Sequence, residues 1–352
     1  MKVLLIDVDA KMPNLALMKV SSFHKLAGDD VVLYRHRLHN GRFRQALLLE
    51  VAATSWDRVY VSCLFTWNAR MALALSCMFG DAVVLRGGTG FDHGKPAETR
   101  AYLPPEIEAA PPDYELYPAN AWRGEQLDYA LGFCLRGCNR KCGFCDVPLK
   151  EGKIDIRQYR PPWTWVPDGF KKAALLDNDP ALYPDALHDE IFKWFIDSGV
   201  RCSITQGYDI RCVTPARAAL LADLRPMDTK FRDRTLYTAW DYWGIEGAVR
   251  ERIPMLLDAG IQGRYITCYM ICGFPQTPPA TCKWDGADLT GPHAIDLHRF
   301  EVLWREFGVL PFVMIYNNER GDPWLRAFAR WVDKRAFKAC EWEDYRYNPD
   351  RQ

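Results

Sequence analysis

Three cysteines fall within eight residues of this chain. Cys138, Cys142 and Cys145 are spaced C-x3-C-x2-C inside the stretch Arg136-Gly-Cys-Asn-Arg-Lys-Cys-Gly-Phe-Cys-Asp-Val-Pro148. Thiolates are soft ligands that select iron–sulfur clusters, zinc or copper. A structural zinc site wants four ligands, usually as two separated pairs. Three thiols on one short loop instead suit three corners of a [4Fe–4S] cube, with the fourth iron left for another ligand. Gly137 and Gly143 let such a loop wrap, and Phe144 supplies an apolar lid. The competing readings are a zinc knuckle and a set of buried thiols without metal.

The rest of the chain must position that loop. It has 352 residues, enough for one large or two medium domains. Lys+Arg and Asp+Glu stand at 45 each, so a broad basic surface for nucleic acid or anionic lipid is not expected. No apolar run reaches the roughly eighteen residues that span a bilayer, and no membrane partner is expected. The opening MKVLLIDVDAKMP is interrupted by acids at once, unlike a signal peptide. Twelve cysteines without an export signal point to a reducing compartment, the cytoplasm.

Residues 1–100 alternate strand and helix signals. Lys2–Ile6, Val31–Tyr34, Arg58–Leu64 and Ala82–Arg86 read as buried parallel strands, with one helix opened by Pro13 and closed by Gly28 and another over Asn68–Phe79. This predicts a doubly wound α/β domain, flavodoxin-like, that binds ligands at its strand C-termini. Residues 101–128, rich in proline, read as an extended linker. A second βα series covers 129–318. Its strands are Tyr129–Phe133, Lys172–Leu176, Arg201–Thr205, Leu236–Asp241, Tyr265–Ile271 and Pro311–Ile315. Helical faces between them carry Leu187, Ile191, Trp194 and Phe195, then Val249, Ile253, Leu256 and Leu257, then Phe300, Leu303, Trp304 and Phe307. Six strands with crossover helices predict a partial (β/α)6 barrel, with the cysteine loop after its first strand, at the mouth. The tail, 319–352, mixes bases and aromatics over 326–338. Zero net charge favours an amphipathic helix on the barrel over a nucleic-acid contact.

C-x3-C-x2-C with an aromatic just before the last cysteine, after the first barrel strand, resembles the hallmark of the radical S-adenosylmethionine (SAM) superfamily. The resemblance implies a [4Fe–4S] cluster on Cys138, Cys142 and Cys145 whose open iron chelates the amino and carboxylate groups of SAM. One electron, from an external donor such as flavodoxin or ferredoxin, then yields a 5′-deoxyadenosyl radical that takes hydrogen from substrate. It also implies SAM contacts. Asp177, Asn178 and Asp179 stand where the family meets the amino group. Gln206, Asp209 and Arg211 face the ribose and carboxylate. Ile271-Cys-Gly-Phe-Pro-Gln-Thr277 resembles the G-F-P-x-x-T turn, whose backbone at Ile271 and Gly273 meets adenine while Phe144 packs on the same ring. Each of these, taken alone, also reads as an ordinary turn or cap. Trp240, Asp241, Met314, Tyr316 and Asn317 end strands at the mouth and are substrate-pocket candidates, against a reading as core aromatics and loop. Lys150 and Glu151 follow the cluster loop and read as a lid, a substrate contact or a solvated turn.

The N-terminal domain resembles the cobalamin-binding domain of the B12-dependent class. Ser62-Cys-Leu64 and Gly87-Gly88 echo its S-x-L…G-G pattern, yet the D-x-H-x-x-G motif is missing and His24 falls inside a helix. Cobalamin is therefore the less favoured cofactor, behind a degenerate domain that shapes or docks substrate. Gly87-Gly-Thr-Gly90 reads as a tight turn. The other cysteines form no compact ligand set, and His293 and His298 read as surface or capping residues. Segments such as DVDAKMPNLALMKV, RGGTGFD, LLDND, QGYDIR and AWD resemble a compact group of phage and bacterial radical SAM proteins. That resemblance implies isomerisation or other modification of a substituted nucleobase or amino-acid-like group, as in thymine hypermodification of phage DNA, on a small-molecule or nucleic-acid-borne substrate. The alternatives are a cobalamin-dependent methyltransferase and a non-enzymatic iron–sulfur or zinc protein.

Overall fold

The computed structural model describes residues 1–36, 45–92, 94–95, 102–117, 127–276, 282–291, 293–316 and 321–346. The chain divides into two compact units. One comprises Met1–Lys141 with Asp146–Phe170, the other Cys142–Cys145 with Lys171–Gln352.

In the first unit, β1 (Lys2–Asp7), β2 (Asp30–Arg35), β3 (Arg58–Ser62) and β4 (Val83–Gly87) form a parallel sheet in the order β2-β1-β3-β4. The helices are α1 (Leu15–Leu26), α2 (Gln45–Ala53), α3 (Ala69–Ser76) and the short α4 (Thr89–Asp92) and α5 (Pro105–Glu108). Asn14, not Pro13, caps α1: its side chain accepts from the amides of Ala16 and Leu17. Alternation on β1 sends Val3 and Leu5 to one core with Leu17 and Met18, and Leu4 and Ile6 to another with Val51, Ala72 and Leu75. Both faces of the sheet are thus buried, as a doubly wound fold requires. Strand order reverses between β1 and β3, the switch point at which such folds bind ligands. The described part of the proline-rich segment is not a bare linker, because Ile107, Leu116 and Tyr117 are buried in the Val3–Leu5 core. The unit also holds β5 (Ala130–Gly132) and α6 (Val147–Glu151). Trp165 lies so close on Gly132 that any Cβ there would sit 2.2 Å from its ring.

In the second unit, β6 (Lys172–Leu175) pairs in parallel with β7 (Arg201–Ile204). The strands β8 (Leu236–Ala239), β9 (Ile266–Cys272) and β12 (Leu310–Ile315) form a parallel sheet in the order β12-β9-β8. The amide of Tyr208, beyond β7, donates to the carbonyl of Tyr237 on β8 at 2.9 Å. The described strands form separate parallel sheets, not a closed barrel. Helices α7 (Asp185–Ser198), α8 (Pro215–Leu224), α9 (Glu246–Asp258) and α10 (Ala294–Phe300) cross over between strands. The buried face of α7 is Ile191 and Phe195 with His188 and Phe192, in place of Leu187 and Trp194. His188 explains the rotation: its Nε2 meets the Tyr208 hydroxyl at 2.9 Å, and burial and Arg217 push its pKa down to about 4. A hairpin that no sequence signal announced, β10 (Cys282–Trp284) with β11 (Ala287–Leu289), precedes α10. The tail helix α11 (Pro323–Asp333) buries Leu325, Phe328, Trp331 and Val332. Its Asp333 accepts from the Val313 amide of β12 at 2.8 Å. Among the described residues, no helix is long and apolar enough to cross a membrane.

Candidate functional site

The cysteine loop is shaped by one glycine. Gly137 has φ +94°, and a Cβ there would meet the Lys153 carbonyl group at 2.7 Å. This closeness lets the Cys138 amide donate to the Gly152 carbonyl at 3.0 Å. The Arg140 amide points at the Cys138 sulfur at 3.4 Å, and the Cys145 amide donates to the Cys142 carbonyl at 3.1 Å. The three thiols are half-buried, whereas Cys63, Cys134, Cys202, Cys268, Cys272 and Cys282 are buried. Burial pushes the Cys63 thiol up to about 12 and those of Cys202, Cys268 and Cys272 higher, so these stay protonated. The three loop thiols are accessible and lie within eight residues, and Cys138 also receives a backbone amide. That donor chemistry fits a cluster that leaves one iron open. Cys138 falls in the first unit, and Cys142 and Cys145 fall in the second. Among the described residues, no group of three His, Cys, Asp or Glu side chains is already gathered as a metal site.

Lys150 and Glu151 follow on α6. The Glu151 side chain is tucked in and paired with Arg136 at 3.2 Å and Lys150 at 3.5 Å. It braces the loop from behind.

Within the second unit, Phe144 of the cysteine loop reaches the glycine–phenylalanine–proline turn. The Phe144 ring meets Phe274 edge-on, 5.5 Å between centroids, and Phe274 meets Tyr316 edge-on at 4.9 Å. Gly273 has φ +76° and lies against Leu325. Asn317 and Thr277 lie outside the described residues.

At the carboxyl end of β7, Gln206 is exposed. Asp209 holds the Nε of Arg211 with both oxygens, at 2.7 and 3.0 Å, and the Tyr242 hydroxyl meets Nη1 at 3.2 Å. Burial opposes the charge of Arg211, but Asp209, Tyr242 and Cys142 outweigh it and raise its pKa. The Nη2 group of Arg211 makes no hydrogen bond to the described residues, which leaves a fork for a carboxylate. Asp179 caps the turn at 180–182 and accepts from the Asp209 amide at 3.3 Å, with Asn178 beside it. Asp177 is turned inward and bonded to the Tyr183 hydroxyl, so it faces no open edge.

The paired candidates on β8 separate. Trp240 is fully buried and edge-on to His298, on the covered face of its sheet. Asp241 takes the opposite face. Burial raises its carboxyl to about 6, against the pull of Arg299, the Ile271 amide and Arg211. Met314 is 50% exposed and Tyr316 half-buried.

Two residues were missed. His298 is buried rather than superficial: its ring takes the Lys283 amide at 2.9 Å and Glu246 at 3.1 Å, anchoring the unforeseen hairpin. Arg299 is a fully buried cation bonded to the carbonyls of Trp240 and Ile271 and to Asp296. The only signal for either was the run His298-Arg299 next to apolar residues.

The switch point of the first unit is closed by its own side chains. Asp9 is buried and accepts from the amides of Leu64 at 2.8 Å and Phe65 at 3.0 Å, and from Asn68 at 3.0 Å. Asn14 donates to Ser62 at 2.8 Å, and Tyr117 donates to Asp7 at 2.9 Å. A Cβ at Gly88 would sit 2.4 Å from the Cys63 carbonyl oxygen, and one at Gly90 2.7 Å from the Cys63 sulfur. The space that these glycines open is taken by Cys63 and Phe65. Of the positions that echo the cobalamin pattern, Gly88 is thus filled by Cys63, whereas a Cβ at Gly87 would meet nothing within 4 Å.

This fold, a doubly wound α/β unit with a second unit of parallel sheets, is shared with solved cobalamin-binding radical SAM methyltransferases. The structures are those of TsrM from Kitasatospora setae. One, with tryptophan substrate and a SAM analogue bound, matches over 90% of this chain and 72% of its own, with TM-score 0.59 and 14% identity. The other, with cobalamin and a [4Fe–4S] cluster bound, matches over 89% and 74%, with TM-score 0.58 and 14% identity. No protein-family model matches the sequence, and no curated protein gives a significant match.

Proposed function

We propose that this chain is a radical SAM enzyme. What carries the reading is the coincidence of accessible thiols at C-x3-C-x2-C with a fold shared with solved radical SAM methyltransferases. With a reduced [4Fe–4S] cluster and SAM bound, the site would supply one-electron cleavage of SAM to methionine and a 5′-deoxyadenosyl radical that takes hydrogen from substrate. Cys138, Cys142 and Cys145 would hold the cluster as thiolates, on a loop that Gly137 folds back. Arg211, oriented by Asp209 and Tyr242, presents its free fork to the SAM carboxylate. Phe144 and Phe274 form an apolar wall for adenine and exclude water, with backbone at Ile271 and Gly273 alongside. Asp179, Asn178 and Gln206 remain polar groups for the amine and ribose. The partners are an external one-electron donor, flavodoxin or ferredoxin, and a small-molecule or nucleic-acid-borne substrate, in the cytoplasm.

The reaction that we favour is a cobalamin-free isomerisation or modification of a substituted nucleobase or amino-acid-like group, of the kind used in phage thymine hypermodification. A second reading, cobalamin-dependent methylation, draws on the TsrM structure with cobalamin bound. The test is anaerobic purification, reduction and addition of SAM, with 5′-deoxyadenosine measured by chromatography. The expected outcome is its formation by the native chain and loss of both brown colour and SAM cleavage in Cys142→Ala. A variant that keeps a full cluster and turnover overturns the assignment. Corrin absorbance after growth with B12 decides for the second reading.

A further inference from the structure

Alternation along β8, β9 and β12 sorts their side chains onto two faces. Leu236, Cys268, Met270 and Val313 occupy the buried face. The other face is aromatic and open. Tyr237 and Tyr269 stack with centroids 5.6 Å apart and rings 12° from parallel, and Phe312 meets Tyr269 edge-on at 5.4 Å. Phe312 is 38% exposed and Met314 50%, both on the edge strand β12, so the aromatic face continues to the margin of the sheet as an apolar patch. Ala239 lies beside Tyr269 in the register, so nothing bulky covers the stacked pair from β8.

Asp241 stands two residues beyond Ala239, on this same face and at its carboxyl end. The charged and titratable groups near it are Arg299 from α10, Arg211 and Asp209 from the turn after β7, and Cys268 from β9, whose thiol burial keeps protonated. Each arginine has its own carboxylate: Arg211 with Asp209 at 2.7 Å, Arg299 with Asp296 at 2.6 Å. Among the described residues, two guanidinium groups thus face three carboxylates, which leaves one negative charge over at Asp241. The complement of this surface is a flat apolar body with one positive charge at its end.

We propose that this face binds a small molecule built of a planar ring and a cationic amine, with the ring on Tyr237, Tyr269, Phe312 and Met314 and the ammonium group at Asp241. The assignment names a substrate class for the enzyme proposed above and rests on that reading for its role in turnover, while the binding itself needs neither cluster nor SAM.

The test uses three indoles of one ring and different charge: tryptamine, indole and indole-3-propionate. Each is titrated calorimetrically into the full chain, as purified anaerobically, at pH 7.5. Tryptamine should bind about tenfold or more tighter than indole, and indole-3-propionate weakest, as a charge-assisted contact implies. The preference for tryptamine should fall below about threefold in Asp241→Asn, and likewise in the native chain at pH 5, where the carboxyl is protonated. The pH arm gives the same reading if that variant fails to fold. Phe312→Ala with Met314→Ala should weaken all three ligands alike. Absence of saturable tryptamine binding, equal affinity for the three ligands, or a preference that survives in Asp241→Asn overturns the proposal. SAM cleavage without amine binding defeats this inference alone; amine binding without iron or SAM cleavage defeats the enzyme reading alone.

Discussion

Arg299 is the residue whose loss should be felt most in the second unit. It is fully buried, with Nη1 bonded to the Trp240 carbonyl at 2.6 Å and Nη2 to the Ile271 carbonyl at 2.7 Å and Asp296 at 2.6 Å. It therefore ties the carboxyl ends of β8 and β9 to α10. Arg299→Met keeps the volume of the stem but strands a carboxylate that is only 4% exposed and two acceptor carbonyls. Breaking a buried pair from one side costs about 3–5 kcal/mol. For a unit of this size, each kcal/mol lowers the midpoint by about 2–4 °C, so a loss of about 4 kcal/mol means about 8–16 °C. The assay is urea and thermal unfolding followed by circular dichroism. Arg299→Met combined with Asp296→Leu removes the stranded charge and should recover at least about half of the loss. A single variant that loses under about 1 kcal/mol, or a double variant less stable than the single, would refute the reasoning.

Other expectations follow from single contacts. Gly137→Ala forces a Cβ to within 2.7 Å of the Lys153 carbonyl at φ +94°; iron bound per chain should fall by about half or more with far-ultraviolet circular dichroism unchanged, and full iron loading would contradict the role given to this glycine. Gly88→Ala brings a Cβ to 2.4 Å from the Cys63 carbonyl oxygen and should destabilise the first unit by about 2 kcal/mol in urea, with a neutral result counting against the tight contact. Asp7 is 2% exposed, and burial raises its carboxyl to about 6 despite Arg35. A raised acid stabilises the fold fully below its unfolded value, near 4, and that contribution is lost as pH rises through 6. Asp7→Asn should therefore shrink the difference in unfolding free energy between pH 4 and pH 7.5 by about 2.4 kcal/mol; an unchanged difference would show that Asp7 does not carry it.

The strands were legible because buried parallel strands read as short β-branched runs, and all four of the first sheet fall within two residues of expectation at each end. Helix α2 was not, because Gln45–Ala53 is apolar nearly throughout and shows no amphipathic period. Gly137 and Phe144 were picked out from sequence, and contacts over long separations give them partners: Gly152 and Lys153 for one, Phe274 for the other. The buried polar groups were the blind spot. His188, His298 and Arg299 sit on helical faces that periodicity assigns to apolar residues, and only tertiary partners make their burial tolerable. Trp240 and Asp241 show the same limit at the scale of one step along a strand. Period two puts them on opposite faces, but sequence does not say which face is open.

The two units use the acids at their carboxyl edges differently, and this difference supports placing the proposed chemistry in the second. On the first sheet, Asp9 takes three nitrogen donors, and Asp7 takes the Tyr117 hydroxyl and the Ala10 amide with Arg35 alongside. Their bonding capacity is spent on closing loops over the switch point, as structural carboxylates do. In the second unit, Arg211 keeps its Nη2 unspent, Asp241 keeps a charge that no cation among the described residues is left to balance, and two large apolar side chains stay exposed. A fold under no functional demand would replace such groups with satisfied or apolar ones, since each costs stability where it stands. These costly groups all belong to the second unit, as do Cys142, Phe144 and Cys145, and a ligand bound there would repay them.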